Sequence, residues 1–196
     1  MDDFLEAKKL FLEGIKSYSK QSYKESIKNF KRSLELEPDR PSVLLNLSKS
    51  YLQIRKFENA KFVLERLIKL KGFKNEKKEA FNLLLDIYLK LDDLQAINKL
   101  KSMNNAKEIF KDKDYIKLQF YYPKLFDTLE ELQKTRAKFT ENINKLLNEK
   151  NLTKLDLIDD PITPPNFSLS YDGYDNLEIN KKLINIYKKL YPPLTN

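Results

Sequence analysis

Residues 41–72 read PSVLLNLSKSYLQIRKFENAKFVLERLIKLKG, and this stretch decides the fold. Apolar side chains recur at helical spacing on both sides of a short polar break, which indicates two amphipathic helices joined by a turn. The small residues Ser48 and Ala60 stand where the two helices would cross. Pro41 suits a first helical turn, because its missing N–H would have no partner there. The stretch therefore predicts a helical hairpin.

A second copy of this pattern precedes it by 34 residues and predicts helices over 3–20 and 23–35, closed by Pro38. The matched positions are Gly14, Tyr23, Ser26 and Phe30 in the first copy and Ser48, Phe57, Ala60 and Leu64 in the second. This period and order resemble the tetratricopeptide repeat. The resemblance implies an all-α fold, a right-handed superhelix of helical hairpins that holds another polypeptide.

A third copy follows at a longer spacing of 37 residues, which implies three inserted residues around 73–76. In it Phe81, Leu84, Tyr88 and Leu94 repeat Leu44, Leu47, Tyr51 and Phe57. The bulkier Ile97 replaces the small Ala60, as is typical of a terminal repeat. We therefore expect about three tetratricopeptide repeats over 1–104, the third degenerate, and an appended C-terminal helical region over 105–196.

The composition excludes several classes of function. The chain has no cysteine and no histidine, which removes disulfides, thiolates and the commonest metal ligand and general base. We expect no catalytic residues, no metal and no cofactor. The net charge of +8 comes nearly all from lysine, with only five arginines. Guanidinium groups, which bind phosphates and bases through two hydrogen bonds at once, are therefore scarce. We expect no nucleic-acid partner.

The N-terminus, Met1-Asp2-Asp3-Phe4, lacks the basic and apolar regions of a signal peptide. No stretch approaches the roughly 18 consecutive apolar residues of a membrane span. We expect a soluble cytoplasmic protein with a protein or peptide partner and no membrane contact. Homodimer formation stays open.

The first helix of each hairpin lines the concave groove of such a superhelix. Six groove residues are candidates for peptide binding through hydrogen bonds or charge: Tyr18, Asn46, Lys49, Gln53, Asn82 and Asp86. Apolar residues share this face, among them Phe11, Ile15, Leu52 and Leu83, and exposed together they would form an unusually large patch. Either the C-terminal half of the chain covers them or a hydrophobic peptide does.

The C-terminal half predicts further helices bounded by prolines. One or two short helices over 107–121 end before Pro123. Thr128 and Glu131 form a capping box for a long helix to Asn148, and Asp175 and Glu178 form a second box for a final helix. Pro161, Pro164 and Pro165 predict a loop over 151–169, and Pro192 and Pro193 end the last helix. The carboxylates Asp156, Asp159 and Asp160 lack calcium-loop spacing and predict a solvated acidic turn.

Residues 120–193 carry a second resemblance. PKLFDTLEEL from Pro123 with Arg136 and Phe139, then NFSLSYDGYDNLEI from Asn166, then Ile186-Tyr187 and Tyr191-Pro192, resemble the linker between repeats and catalytic domain in bacterial SPINDLY-like O-linked N-acetylglucosamine transferases. The resemblance implies that the repeats select acceptor polypeptides for glycosylation. It implies no catalysis here, since the essential histidine of that family is absent.

These observations predict a non-catalytic protein–protein interaction module, the partner- or acceptor-recognition region of a glycosyltransferase-like protein. The alternative is a stand-alone scaffold or adaptor whose groove is filled by its own C-terminal helices.

Overall fold

The computed structural model describes residues 2–103, 106–110, 112–163 and 166–192. Within these ranges the chain forms helices and no strand, so the all-α prediction is confirmed. The helices are α1 (Asp2–Ser19), α2 (Tyr23–Leu36), α3 (Pro41–Gln53), α4 (Phe57–Lys69), α5 (Lys74–Leu91), α6 (Leu94–Lys101), α7 (Ala106–Ile109), α8 (Asp112–Phe120), α9 (Leu129–Asn148), α10 (Asn166–Leu169) and α11 (Leu177–Leu190). Pro164, Pro165 and Pro193, which are predicted to exclude or end a helix, lie outside the described residues.

The chain divides into two compact units, Met1–Ile87 and Tyr88–Asn196. The division falls within α5. The boundary near residue 104, drawn from the end of the repeat pattern, stays a prediction.

In the first unit, α1 packs on α2 and α3 packs on α4, as the hairpin pattern predicts. α1 and α2 approach closely at Gly14, because a Cβ built there would lie 2.5 Å from Cε1 of Phe30. Phe57 of the second hairpin is half-buried. The other signature positions of this hairpin are buried, namely Leu44, Leu47, Ser48, Tyr51, Ala60, Leu64 and Leu67. Small residues therefore lie at the crossings and large apolar residues fill the core around them.

α1, α3 and α5 end in the same backbone turn. Gln21, Arg55 and Asp92 have φ values of 60°, 56° and 55°, the left-handed conformation that residues other than glycine seldom adopt. The N–H after each of them bonds a carbonyl five residues back, the pattern of a Schellman motif. These bonds run from Ser22 to Ser17 (2.9 Å), from Lys56 to Tyr51 (2.9 Å) and from Asp93 to Tyr88 (3.0 Å).

The turn between pairs also repeats. Asp39 and Phe73, 34 residues apart, have φ values of 62° and 56°. Because α5 begins directly after Phe73, the three extra residues of the third copy lie inside this helix. α5 has 18 residues, as many as α1 and five more than α3.

The second unit is built around α9 and α11. Its core contains Ile116, Phe120, Tyr122, Phe139, Ile143, Leu146, Ile162, Leu169, Ile179, Leu183, Ile186, Leu190 and Tyr191. The loop after α9 is held on this core by two tyrosines: the Tyr187 hydroxyl donates to the Ile162 carbonyl (2.6 Å), and the Tyr191 hydroxyl donates to the Asp160 carbonyl (2.8 Å). Burial raises the pKa of both tyrosines above the usual value.

Two sequence predictions for this unit require correction. The loop predicted over 151–169 contains the short helix α10. The capping box assigned to Asp175 and Glu178 is wrong: the N-cap of α11 is Asn176, the Asp175 carboxylate accepts from the Leu177 N–H (2.9 Å), and Glu178 pairs with Lys181 (2.8 Å). Asp175 therefore closes a local turn before the helix begins.

The other capping prediction is confirmed. The Thr128 hydroxyl accepts from the Glu131 N–H (3.1 Å), and the Glu131 carboxylate accepts from the Asp127 N–H (3.0 Å). The acidic turn is also local structure, because Asp156 accepts from the N–H groups of Ile158 (2.7 Å) and Asp159 (2.9 Å), which lowers the pKa of Asp156.

Candidate functional site

The six predicted peptide-binding residues all lie in the first unit, on α1, α3 and α5. Tyr18 is near the end of α1. Asn46, Lys49 and Gln53 follow one another along α3. Asn82 and Asp86 are on α5. We refer to these six side chains as the helix-A set.

The structure brings Tyr18 and Gln53 together. The Gln53 amide lies 3.5 Å from the Tyr18 hydroxyl, a long hydrogen bond, and the Tyr18 ring contacts the edge of Tyr23 with centroids 5.4 Å apart. Gln53 is exposed and Tyr18 is half-buried. The pair joins α1 to α3 and leaves the Gln53 amide accessible for other hydrogen bonds.

Asn46 is half-buried and directed along its own helix. Its Nδ2 donates to the Ser42 carbonyl one turn earlier (2.8 Å). Its Oδ1 accepts no hydrogen bond within the described residues. Asn46 therefore offers a hydrogen-bond acceptor, and a donor that is already partly used.

Lys49 makes an ion pair that the sequence did not predict. Its Nζ lies 2.7 Å from Oε1 of Glu79 on α5, and the two side chains are 33% and 47% exposed. An exposed pair of this kind contributes about 0–1 kcal/mol, so another carboxylate can displace Glu79 at small cost. Glu79 therefore competes with a peptide carboxylate for Lys49, the cation predicted to bind it.

The two α5 members differ in accessibility. Asn82 is half-buried, and its Oδ1 is fully buried without a hydrogen-bond partner in the described part of the chain. A buried acceptor left unpaired costs about 1–3 kcal/mol. Asp86 is exposed and supplies a negative charge on the same helix as Glu79.

Arg40 is a feature of this unit that sequence reasoning missed. It directly precedes α3, and its guanidinium carbon lies 5.6 Å and 5.9 Å from the ring centroids of Phe4 and Phe11. Its Nη1 is buried without a hydrogen-bond partner among the described residues. The available sequence signal was the spacing of Phe4 and Phe11, seven residues apart on one face of α1.

Paired helices with small residues at their crossings and repeated Schellman turns define an all-α protein built from helical hairpins. A family model of the tetratricopeptide repeat matches residues 41–73, which hold α3 and α4. The chain therefore contains a tetratricopeptide repeat. Repeats of this kind generally mediate protein–protein interaction and are typically non-catalytic, so a scaffold or interaction role is supported. A comparison with curated proteins gave no match.

Two further observations concern the described residues only. No group of three or more acidic, histidine or cysteine side chains is arranged to hold a metal ion. No helix there is long and apolar enough to cross a membrane.

Proposed function

We propose that the chain is a non-catalytic protein–protein interaction module whose helix-A set binds a segment of a partner polypeptide. The observation that carries the proposal is the tetratricopeptide match over residues 41–73, because this hairpin bears Asn46, Lys49 and Gln53. Side chains along one helical face, one turn apart, can contact successive groups of a bound peptide.

The chemistry of the set suggests which peptide binds. The Asn46 Oδ1 and the Gln53 amide supply hydrogen bonds to peptide backbone. Lys49 supplies the charge, and a peptide carboxylate would replace Glu79 as its partner. The bound segment is therefore one that carries an acidic side chain or a free C-terminus.

The experiment is selection of a random peptide library on the immobilised full chain, followed by fluorescence anisotropy with the selected peptide. Asn46→Ala and Lys49→Gln should weaken binding with no change in Tm. Lys28→Gln is the matched control, since Lys28 on α2 is also exposed and paired, with Glu25 at 3.7 Å. Affinity unchanged by both helix-A substitutions would exclude this surface as the binding site.

We further propose that the partner is the acceptor polypeptide of a SPINDLY-like O-linked N-acetylglucosamine transferase. Support comes from the resemblance over residues 120–193, whose quoted residues Phe139, Leu169, Ile186 and Tyr191 pack in one core. The tetratricopeptide match itself carries no information about a transferase. Selected peptides should be glycosylated by such an enzyme supplied in trans, while the chain alone transfers no sugar; selected peptides that the enzyme leaves unmodified would refute the assignment.

The alternative is a stand-alone scaffold or adaptor whose groove is filled by its own C-terminal helices. Its support is the apolar character of the helix-A face, where Leu12 stands at the position equivalent to Asn46. Leu12→Ser in the full chain separates the two proposals. A lower Tm would support a groove filled by the C-terminal helices. An unchanged Tm with weaker peptide binding would support a groove that is open to a partner.

A further inference from the structure

The second unit contains a cavity of about 450 Å³ beside α6 and α9, separate from the helix-A set. Cavities of this size accommodate small organic molecules. Its lining comprises Leu94, Asn98, Lys101, Ser102, Tyr121, Glu131, Lys134, Thr135, Lys138, Phe139, Glu141, Asn142 and Lys145. Lysine is the most frequent residue in this lining, and all four lysines lie on the two helices.

Lys101, the last residue of α6, is a half-buried cation without a carboxylate partner among the described residues. Its Nζ donates to the Tyr121 carbonyl (3.3 Å) and lies 5.5 Å from the centroid of the Tyr121 ring. Burial, together with the nearby charge of Lys138, lowers the pKa of Lys101 to about 8. The fold therefore holds a lysine that would gain from a negative charge beside it.

The remaining charges of the lining leave a positive excess. Lys145 is paired with Glu141 (2.6 Å). Glu131 is engaged by the Asp127 N–H as part of the α9 cap. Lys134 and Lys138 are exposed and form no ion pair within the described ranges.

Two acidic groups outside the lining, Asp92 and Asp93, also accept hydrogen bonds within the second unit. Asp92 accepts from the Tyr121 hydroxyl (2.8 Å) and from the Lys124 N–H (3.2 Å), and Asp93 caps α6 by accepting from the Ala96 N–H (3.0 Å). The lining thus has four lysines against the two carboxylates of Glu131 and Glu141; with Glu141 paired to Lys145, three of the lysines form no ion pair among the described residues.

We propose that this cavity binds a small phosphorylated molecule, its phosphoryl group held by Lys101, Lys134 and Lys138. Three ammonium groups act as point charges and suit a compact tetrahedral anion with more than one negative charge. The neutral polar residues Asn98, Ser102, Thr135 and Asn142 complete the lining and favour an organic part that carries hydroxyl groups. The site uses none of the helix-A residues and does not depend on peptide binding.

The test is calorimetric titration of the full chain with inorganic pyrophosphate and with glucose 6-phosphate, using succinate as the carboxylate counterpart. Both phosphates should bind, and Lys101→Met and Lys138→Met should each weaken binding by about tenfold or more. Lys181→Met is the matched control, because this exposed α11 lysine is paired with Glu178 and does not line the cavity. If Lys101→Met reduces the helix content of the chain, the effect of Lys138→Met on phosphate binding tests the site instead.

Protonation gives a second readout. Because the pKa of Lys101 is about 8, a bound phosphate should draw a proton onto this amine at pH 8, so the heat of binding depends on the ionisation enthalpy of the buffer. That dependence should disappear in Lys101→Met. Absence of phosphate binding, equally tight succinate binding, or an equal loss in Lys181→Met would each overturn the proposal.

Discussion

Arg136 on α9 forms a buried ion pair with Asp172, 36 residues further along the chain. The same guanidinium donates to Asn176 Oδ1 (2.6 Å) and to the Asp175 carbonyl (2.8 Å), and its carbon lies 4.9 Å from the centroid of the Tyr174 ring. The Arg136 side chain thus ties α9 to the segment that leads into α11. Arg136→Lys would keep the positive charge but would not reproduce these contacts, because they use several N–H donors of the planar guanidinium.

Replacing Arg136 should destabilise the second unit strongly. Asp172 has 0% side-chain exposure, so Arg136→Met leaves a buried charge without its partner and should cost about 3 kcal/mol. Hydrogen exchange of α9 and α11 amides in urea measures this loss. Arg66→Met, which breaks the exposed pair with Asp39 in the first unit, should cost less than about 1 kcal/mol, measured on the α4 amides. Similar losses in the two variants would contradict a special role for Arg136.

The stability of the second unit should fall in acid through Asp172. Burial opposes ionisation of this carboxyl, but the Tyr174 N–H, the Asn176 amide, the Tyr122 hydroxyl and Arg136 together hold the pKa of Asp172 below its usual value. A depressed folded-state pKa stabilises the fold above the unfolded value of about 3.9, and the contribution is lost as pH falls below it. Asp172→Asn should flatten this acid dependence in pH-resolved hydrogen exchange. An unchanged acid profile would assign the titration to other groups.

Gly14→Ala should destabilise the first hairpin by about 1–3 kcal/mol, because the new Cβ meets the fully buried ring of Phe30. Urea unfolding followed by circular dichroism measures the change. Combining Gly14→Ala with Phe30→Leu should cost less than the sum of the two single changes, since the shorter side chain relieves the clash. If the losses in stability from the two single changes simply add, the clash with the Phe30 ring is not what destabilises Gly14→Ala.

Arg55→Gly should stabilise the chain by about 0.5–1 kcal/mol, because Arg55 is exposed and held at φ 56° at the end of α3. The readout is Tm by circular dichroism. Lys28→Gly, in the middle of α2, tests the opposite case and should destabilise by about 1 kcal/mol. A loss of stability in Arg55→Gly would show that the Arg55 side chain makes a stabilising contribution.

Glu79→Gln should strengthen binding of an acidic peptide to the helix-A set, because it releases Lys49 from its internal pair. The expected gain is on the order of 0.5 kcal/mol, measured by anisotropy with the selected peptide. Glu25→Gln, on α2, serves as the control. A gain that persists in the Lys49→Gln background would mean that Lys49 is not the group released.

The fold was predictable because periodicity and small residues at helix crossings are local signals. Gly14, Ser48 and Ala60 identified both hairpins, and Thr128 with Glu131 identified the start of α9. Asp175 and Glu178 have the same four-residue spacing but form no capping box. The Asp175 carboxylate accepts from the Leu177 N–H, and Asn176 is the N-cap. Spacing alone cannot tell which of two adjacent polar residues ends the turn.

The side-chain partners of the candidate site were less predictable. Lys49 reads as a free cation in the sequence, yet its partner is 30 residues away on another helix. Lys101 reads as an ordinary helix-end lysine, and only the placement of Tyr121 and Lys138 around it reveals its unusual environment. Such pairings depend on how helices pack, and helical periodicity does not encode them.

The left-handed residues that follow α1, α3 and α5 show what these turns require. Gln21, Arg55 and Asp92 share one backbone conformation but no side-chain chemistry. The main-chain hydrogen bonds of each turn, and not the side chain at the left-handed position, therefore set the angle at which the next helix leaves. Side chains at these three positions can be exchanged without loss of the geometry that joins one helix to the next.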